Sequence, residues 1–208
     1  MRRAGDRYYT KEHAIRSLLC AYPEIGGRSL GDPACGDGRM ARLLAPRFQR
    51  MYLNDISPDV QADTHLDLVD AVKRAPGPVD WWVSNLPFFA AGDGARACLD
   101  SAVVGFALLV RCTFLETCGP SHVCRKAAKG KPAIPCDLRR CLRNGRKWLP
   151  GLPPTRILSI PRFSFTGDGK SDSAPSWWFL WVRGADGAYV PGTITVSERH
   201  TQQLVLAA

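Results

Sequence analysis

The chain has 208 residues, of which 45% are apolar, so it is long enough to bury the core of one domain. No apolar stretch reaches the ~18 residues of a membrane-spanning helix, and the basic N-terminus lacks the apolar region of a secretion signal. The eight cysteines are too sparse for a disulfide scaffold, and the net charge of +9 favours a polyanionic partner, so we expect a protein of the cytoplasm with reduced thiols.

The first part of the chain predicts a βα unit behind one leading helix. Thr10 can cap a helix that runs to Ala21, because apolar residues recur there at helical spacing. A short strand at 28–31 runs into a glycine-rich turn at 32–38, and a helix is expected over 39–48. Strand, turn and helix in this order are typical of a parallel α/β sheet.

The rest of the chain continues this alternation and then changes character. Further strands are predicted at 50–54, 60–63, 79–83 and 105–110, with helices at 66–73 and 94–103. Two apolar runs at 155–160 and 177–182 are close enough to pair as an antiparallel hairpin. We therefore expect one α/β domain over 1–208, with a mostly parallel sheet, a C-terminal antiparallel hairpin, helices on both faces, and an insertion at about 117–154.

The predicted insertion holds most of the positive charge. Residues 125–147 contain nine lysines and arginines against one acid, Asp137, so this stretch carries eight of the nine net charges. A localised basic segment favours contact with nucleic-acid phosphates, and a solvated basic loop is the alternative. The candidate phosphate contacts are Arg125, Lys126, Arg139, Arg140 and Arg143.

Cysteines and aromatic residues around the insertion carry weaker signals. The five residues Cys118, His122, Cys124, Cys136 and Cys141 match none of the paired Cys-x2-Cys patterns of zinc sites, so we expect reduced thiols and no metal ion. Phe165, which follows the 155–160 run, could form an aromatic wall around a base, and core packing is an equal alternative.

A polar corner follows the strand at 79–83. Asn85, Leu86, Pro87 and Phe88 present a side-chain amide, a carbonyl beside a rigid proline, and an aromatic ring. In open α/β sheets ligands bind at the carboxyl ends of the strands. This corner is therefore the candidate catalytic centre.

The glycine-rich turn is the second candidate binding element. Gly36 and Gly38 allow a tight turn and a close approach of backbone to ligand, and the next helix begins with free N–H donors. Asp55, at the end of the following strand, can accept hydrogen bonds from two ribose hydroxyls. Together these residues predict a site for a nucleoside.

These segments resemble the ordered motifs of S-adenosylmethionine-dependent DNA N6-adenine methyltransferases, best the small phage-encoded ones. Asp-Pro-Ala-Cys-Gly-Asp-Gly at 32–38 resembles motif I, Asn-Asp-Ile at 54–56 motif II, and Ser-Asn-Leu-Pro-Phe at 84–88 motif IV. Tyr9-Thr10 resembles the N-terminal motif that closes over the methionine part of the cofactor, and Asp63 the acid of motif III. The resemblance covers 8–116 well and 155–183 loosely.

The resemblance implies a Rossmann-like class I fold, the cofactor S-adenosylmethionine, and methyl transfer to adenine N6 of DNA, in the cytoplasm of a bacterium or a phage-infected host. Asn85 and the Leu86-Pro87 backbone would hold the target nitrogen, and Phe88 would stack on the target ring. The cofactor would lie against Tyr9, Thr10, Asp32, Cys35, Gly36, Gly38, Asp55, Ile56 and Asp63, with Asp67 in place of Asp63 if the strand at 60–63 is misplaced.

Two departures from the family pattern leave alternatives open. Lys11 stands where the N-terminal motif usually has proline, and Leu86 replaces the first proline of the usual Asn-Pro-Pro-Phe. Asn-Leu-Pro-aromatic is familiar from rRNA adenine dimethyltransferases, so RNA is a possible substrate beside DNA. Methylation of a protein glutamine uses a similar corner, and a non-enzymatic nucleic-acid binder is the remaining alternative. The sequence does not specify the oligomeric state.

Overall fold

The computed structural model describes residues 9–115, 149–160 and 175–196. Helices α1 (Glu12–Ala21), α2 (Arg39–Leu44), α3 (Leu68–Lys73) and α4 (Ala91–Ser101) alternate with strands β1 (Gly27–Asp32), β2 (Phe48–Leu53), β3 (Val79–Ser84) and β4 (Ala102–Arg111). Strands β5 (Arg156–Ser159), β6 (Ser176–Val182) and β7 (Thr193–Val196) follow. Most of the predicted insertion lies outside the described residues, as do Arg125, Lys126, Arg139, Arg140, Arg143, Phe165 and the cysteine–histidine cluster.

The seven strands form one sheet in the order β2-β1-β3-β4-β6-β5-β7. Strands β1 to β4 are parallel to one another, β6 is antiparallel to both β4 and β5, and β7 is parallel to β5. The predicted mostly parallel sheet with a C-terminal antiparallel hairpin is thereby confirmed. Strand β7, at the sheet edge, was not predicted.

Helices cover both faces of the sheet, as predicted. Along β3 the side chains alternate between the faces, so Trp81 packs in the cluster under α1 and α2, while Trp82 packs in the cluster under α3 and α4. Both indoles are fully buried, and glycines on the neighbouring strands make room for them. A Cβ on Gly31 would collide with the Trp82 ring, and a Cβ on Gly105 would lie 2.7 Å from Cζ3 of Trp81.

Three details of the predicted elements were wrong for local reasons. Helix α1 begins at Glu12 with the extended Lys11 at its N-cap, so Thr10 does not cap it. The helix expected over 39–48 ends at Leu44, because a 3-10 turn with Pro46 follows and β2 has already begun at Phe48. Residues 60–63 form no strand. None of the helices among the described residues is long and apolar enough to cross a membrane.

Candidate active site

A cavity of about 340 Å³ lies at the carboxyl ends of β1, β2 and β3. Its walls come from the three turns that follow these strands, together with Tyr9 from the segment before α1. A smaller pocket beside it shares Tyr9, Ala34, Gly36 and Asn85 with the larger one. The volume falls within the roughly 300–1,000 Å³ of small-molecule sites, and the position is the one at which open α/β sheets bind ligands.

In the turn after β1, glycine main chain without side chains lies at the cavity. Gly36 and Gly38 have φ angles of 56° and 70°, in the left-handed region that a side chain makes costly. The Tyr9 ring lies close above, since a Cβ at Gly36 would be 3.6 Å from its Cδ1. Tyr9 therefore covers the turn, and Gly38, directly before α2, shapes the turn without lining the cavity.

Asp55 ties the turn after β1 to the turn after β2. Its Oδ2 accepts a hydrogen bond of 2.9 Å from the Gly36 backbone N–H, and its Oδ1 accepts one of the same length from the Ser57 N–H. Each carboxylate oxygen retains a further lone pair for a ligand hydroxyl. Ile56, which is 71% exposed, adds an apolar surface to the same wall. This combination suits a ribose with a planar ring beside it.

Asp32 ends β1 beneath this turn and is 1% exposed. Its Oδ1 accepts hydrogen bonds from the Ser84 hydroxyl at 2.7 Å and from the Ala34 N–H at 3.2 Å, whereas its Oδ2 has no partner among the described residues. Burial raises the pKa of this carboxyl to about 7, and the Ser84 hydrogen bond opposes the rise. A buried carboxyl with one unpartnered oxygen fits a ligand that brings a cation or an N–H donor.

Thr10 and Cys35 line the smaller pocket, and both are buried. The Cys35 backbone N–H donates to the Asn54 carbonyl at 2.9 Å, which fixes the turn against β2. Burial, and then the nearby Asp32 carboxyl, raise the pKa of the Cys35 thiol to about 12. The residue is therefore a neutral packing group rather than a nucleophile.

Asn54 is a supporting residue whose role the sequence did not reveal. Its fully buried amide donates to the carbonyls of Pro33 and Leu66, at 2.9 and 3.1 Å, and accepts from the Thr64 hydroxyl and the Leu66 N–H. All of its hydrogen-bonding capacity is used, and it joins three loop segments of the cavity wall. Its position before Asp55 was the available signal, but spacing alone does not indicate a buried amide.

Asp63 and Asp67 have different positions and contacts in the structure. Asp63 lines neither pocket, and its Oδ2 accepts from the Leu53 N–H at 2.7 Å, so it holds the loop against β2. Asp67 lines the cavity and caps α3 through its Oδ1, which accepts from the Val69 N–H at 3.1 Å. The geometry therefore favours Asp67 over Asp63 as the acid beside a bound ring.

The corner after β3 is anchored by Leu86, which is 1% exposed and packs in the core against α4. The Pro87 carbonyl accepts from the Ala90 N–H at 2.9 Å, which closes the turn into α4. Asn85 and Phe88 are thereby left half-buried at the cavity wall. A buried leucine thus supplies, by packing, part of the rigidity that a proline would supply through its ring.

Most of the predicted site residues come together in the structure. Tyr9, Gly36, Asp55, Ile56, Asn85, Leu86, Pro87 and Phe88 line the cavity, Thr10 and Cys35 line the pocket beside it, and Asp32 lies beneath. The lining residues that the sequence reasoning missed are Pro33, Ala34, Ser57, Val60, Leu66, Leu68, Phe89 and Ala90. Apolar residues at 60, 66 and 68 in a region otherwise rich in polar side chains were the available signal.

Comparison by sequence finds no relatives, and comparison by structure finds many. No protein-family model and no curated protein matches the sequence. A methyltransferase subunit of a type I restriction-modification system from Streptococcus thermophilus superposes with a TM-score of 0.54 at 11% identity. The match covers 96% of this chain and 52% of that one, so the chain spans about half of the length of that subunit.

Two further solved structures show the same architecture. A dimethyladenosine transferase from Plasmodium falciparum has a TM-score of 0.55 at 8% identity, over 87% of this chain and 64% of that one. An O-methyltransferase from Bacillus cereus in complex with SAH has a TM-score of 0.54 at 10% identity, over 85% and 83%. A precorrin 8w decarboxylase from Methanobacterium thermoautotrophicum also matches, so the likeness is one of fold. The chain has the Rossmann-like α/β fold of class I methyltransferases.

Proposed function

We propose that the protein is a methyltransferase that transfers a methyl group from S-adenosylmethionine to the N6 amino group of adenine in DNA. The observation that carries this proposal is that one cavity is lined both by the Gly36–Asp55 ribose site and by the corner at 85–88. A cofactor half and a target half therefore share one space, as a direct transfer between two bound molecules requires.

The residues present fit the cofactor. Asp55 would accept the ribose hydroxyls, Ile56 would pack on the adenine ring, and Asp67 would lie at the ring edge. The unpartnered Oδ2 of Asp32 and the Tyr9 ring would lie toward the charged methionine end. The bound cofactor supplies an activated methyl group on a sulfonium, so the chain itself needs to position and polarise the acceptor.

The corner after β3 explains how a poor nucleophile, the amino nitrogen of adenine, would be made reactive. The lone pair of an exocyclic adenine nitrogen is conjugated with its ring. The Asn85 side-chain oxygen and the Leu86 carbonyl would accept from its two hydrogens, which favours a tetrahedral nitrogen with a localised lone pair. Phe88 offers a face for a base that has left the helix stack. Burial of Leu86 holds these acceptors in place.

DNA is supported by the form of the glycine-rich turn, Asp-Pro-Ala-Cys-Gly-Asp-Gly, and by the type I restriction-modification neighbour. The positive charge at 125–147 argues against a protein glutamine and for a polyanion. RNA adenine is the second candidate, because Leu86 gives the Asn-Leu-Pro form and one neighbour is a dimethyladenosine transferase.

The test is transfer of tritiated methyl from S-adenosylmethionine to unmethylated DNA, ribosomal RNA and total protein, followed by digestion and nucleoside analysis. The proposal expects N6-methyladenine in DNA. Label only in N6-methylated adenosine of RNA would move the assignment to the second candidate. Methylation of nucleic acid would be refuted if the label appeared in the substrate protein. It would also be refuted if no substrate were labelled although calorimetry shows that the enzyme binds the cofactor.

A further inference from the structure

Arg111 is the last residue of β4 and lies beside the proposed target pocket. Leu108 pairs with Ser84 in the parallel β3–β4 ladder, so β4 extends three residues beyond the point at which β3 gives way to Asn85. The Arg111 guanidinium lies over the Phe88 ring, with Cζ 4.7 Å from the ring centroid. The guanidinium therefore lies directly against the aromatic ring of the corner that follows β3.

The charge of Arg111 is not matched within the described part of the chain. The side chain is half-buried, its Nε is buried without a hydrogen-bond partner, and no carboxylate of the described residues lies within ion-pair distance. Opposite it in the β4–β6 ladder stands Ser176, which is 3% exposed and whose hydroxyl also has no partner there. Register partners in an antiparallel pair project on the same face, so two unpartnered donors lie side by side.

Arg183 shows what a structural arginine looks like in the same sheet. It stacks on Tyr189 with Cζ 4.3 Å from the ring centroid, but its three guanidinium nitrogens donate to the carbonyls of Ala102, Gly187 and Leu99. Arg111 likewise lies over an aromatic ring, but it has none of these acceptors. A half-buried cation without an acceptor is costly, which is the expected state of a site that awaits an anion.

We propose that Arg111 and Ser176 bind a phosphodiester oxygen of the target nucleotide, next to the base that stacks on Phe88. This inference rests on the proposed function and deepens it, since a phosphate anchor distinguishes a nucleotide from a glutamine side chain. Arginine and a serine hydroxyl are suited to a phosphate, and the stacked Phe88 ring holds the guanidinium plane in place.

The test uses the trinucleotide TpApT, which is too short to depend on many phosphate contacts elsewhere. The protein is loaded with S-adenosylhomocysteine, and the Arg111 Nε–H and Asn85 amide signals are followed by nitrogen-15 NMR, with assignments from Arg111→Lys and Asn85→Asp. Both signals should shift with TpApT. When the phosphate that Arg111 contacts is replaced by a neutral methylphosphonate, the Arg111 signal should no longer shift, whereas the Asn85 signal should still shift.

Affinities complete the design as a double-mutant cycle. Arg111→Gln should weaken TpApT binding about tenfold. The methylphosphonate that removes the Arg111 shift should weaken binding by the wild-type protein about tenfold as well, and combining the two changes should cause little further loss. Arg96→Gln, which removes one exposed charge on α4, is the matched control and should leave binding unchanged. The phosphate anchor alone would be overturned if Arg111→Gln weakened binding of TpApT and of its neutral analogue by the same factor. It would also be overturned if the Asn85 signal shifted with TpApT and the Arg111 signal did not. If neither signal moves, nucleotide binding at this cavity fails, and the proposed function fails with it.

Discussion

The hydroxyl of Ser84 donates a 2.7 Å hydrogen bond to Oδ1 of Asp32, and so joins the last residue of β3 to the last residue of β1. The bond connects the strand end that carries the proposed catalytic corner at 85–88 to the strand end that carries the glycine-rich turn. Its acceptor is a fully buried carboxyl whose pKa is raised to about 7 by burial. The two halves of the proposed site therefore share a titrating group.

Asp32 should make the protein less stable as the pH rises from about 4 to about 7. In this window the folded chain holds a proton that the unfolded chain, with an ordinary Asp pKa of about 3.9, has released. The free energy of unfolding should therefore fall with pH, by up to about 1.4 kcal/mol per pH unit from this group. Asp32→Asn should remove this contribution, as measured by urea unfolding at several pH values.

Ser84→Ala provides the matched control for the Asp32 slope. Loss of the hydroxyl removes a hydrogen bond that lowers the Asp32 pKa, so the pH window in which stability falls should extend to higher pH. Parallel pH profiles for wild type and Asp32→Asn would show that the carboxyl titrates normally and would contradict the assignment.

The sequence predicted the sheet well because its signals are local. The apolar runs at 79–83 and 105–110 are long and β-branched or aromatic, and each became a buried parallel strand. The hairpin of β5 and β6 also followed from two nearby apolar runs. Strand β7 was not foreseen, although its four residues are all β-branched, because a run of four is at the lower limit of the local strand signal.

The site was predicted less completely, for a physical reason. Gly36 and Asp55 lie in the turns that follow β1 and β2, which local pattern identifies, and a hydrogen bond joins them in the structure. The loop at 54–67 has no such pattern. Its course is set by the buried amide of Asn54 and by the Asp63 carboxylate on the Leu53 N–H, so Asp63 faces β2 and Asp67 lines the cavity.

Asn85→Ala should lower the rate of methyl transfer by about 10²–10³-fold and leave cofactor affinity within about threefold of wild type. The side-chain oxygen contributes only when the target amine is present, and loss of such an acceptor typically costs about 10²–10³-fold in turnover. Asn85→Asp retains an acceptor oxygen and should keep more activity than the alanine variant. Single-turnover transfer and calorimetry with S-adenosylhomocysteine measure the two effects. Wild-type turnover by Asn85→Ala would rule out the mechanism.

Asp67→Asn and Asp63→Asn should have opposite consequences. Asp67 lines the cavity, so its substitution should weaken cofactor binding about tenfold, an amount typical of one hydrogen bond to a charged group. Asp63 instead accepts from the Leu53 N–H, so its substitution should lower thermal stability and change cofactor affinity less. Calorimetry and thermal unfolding on both variants decide between them. The reverse pattern would restore Asp63 as the cofactor acid.

Gly105→Ala should destabilise the fold by about 2–4 kcal/mol, because the sheet centre has no room for a methyl group. A Cβ at this position would lie 2.6 Å from the Trp181 carbonyl oxygen and 2.7 Å from Cζ3 of Trp81. Both contacts are with rigid groups, since one is backbone and the other a fully buried indole. Gly151→Ala, which meets nothing within 4 Å, is the control and should change stability by less than about 0.5 kcal/mol. Urea unfolding of both variants measures the difference, and equal stabilities would mean that the strand pair β4–β6 can separate enough to admit a side chain.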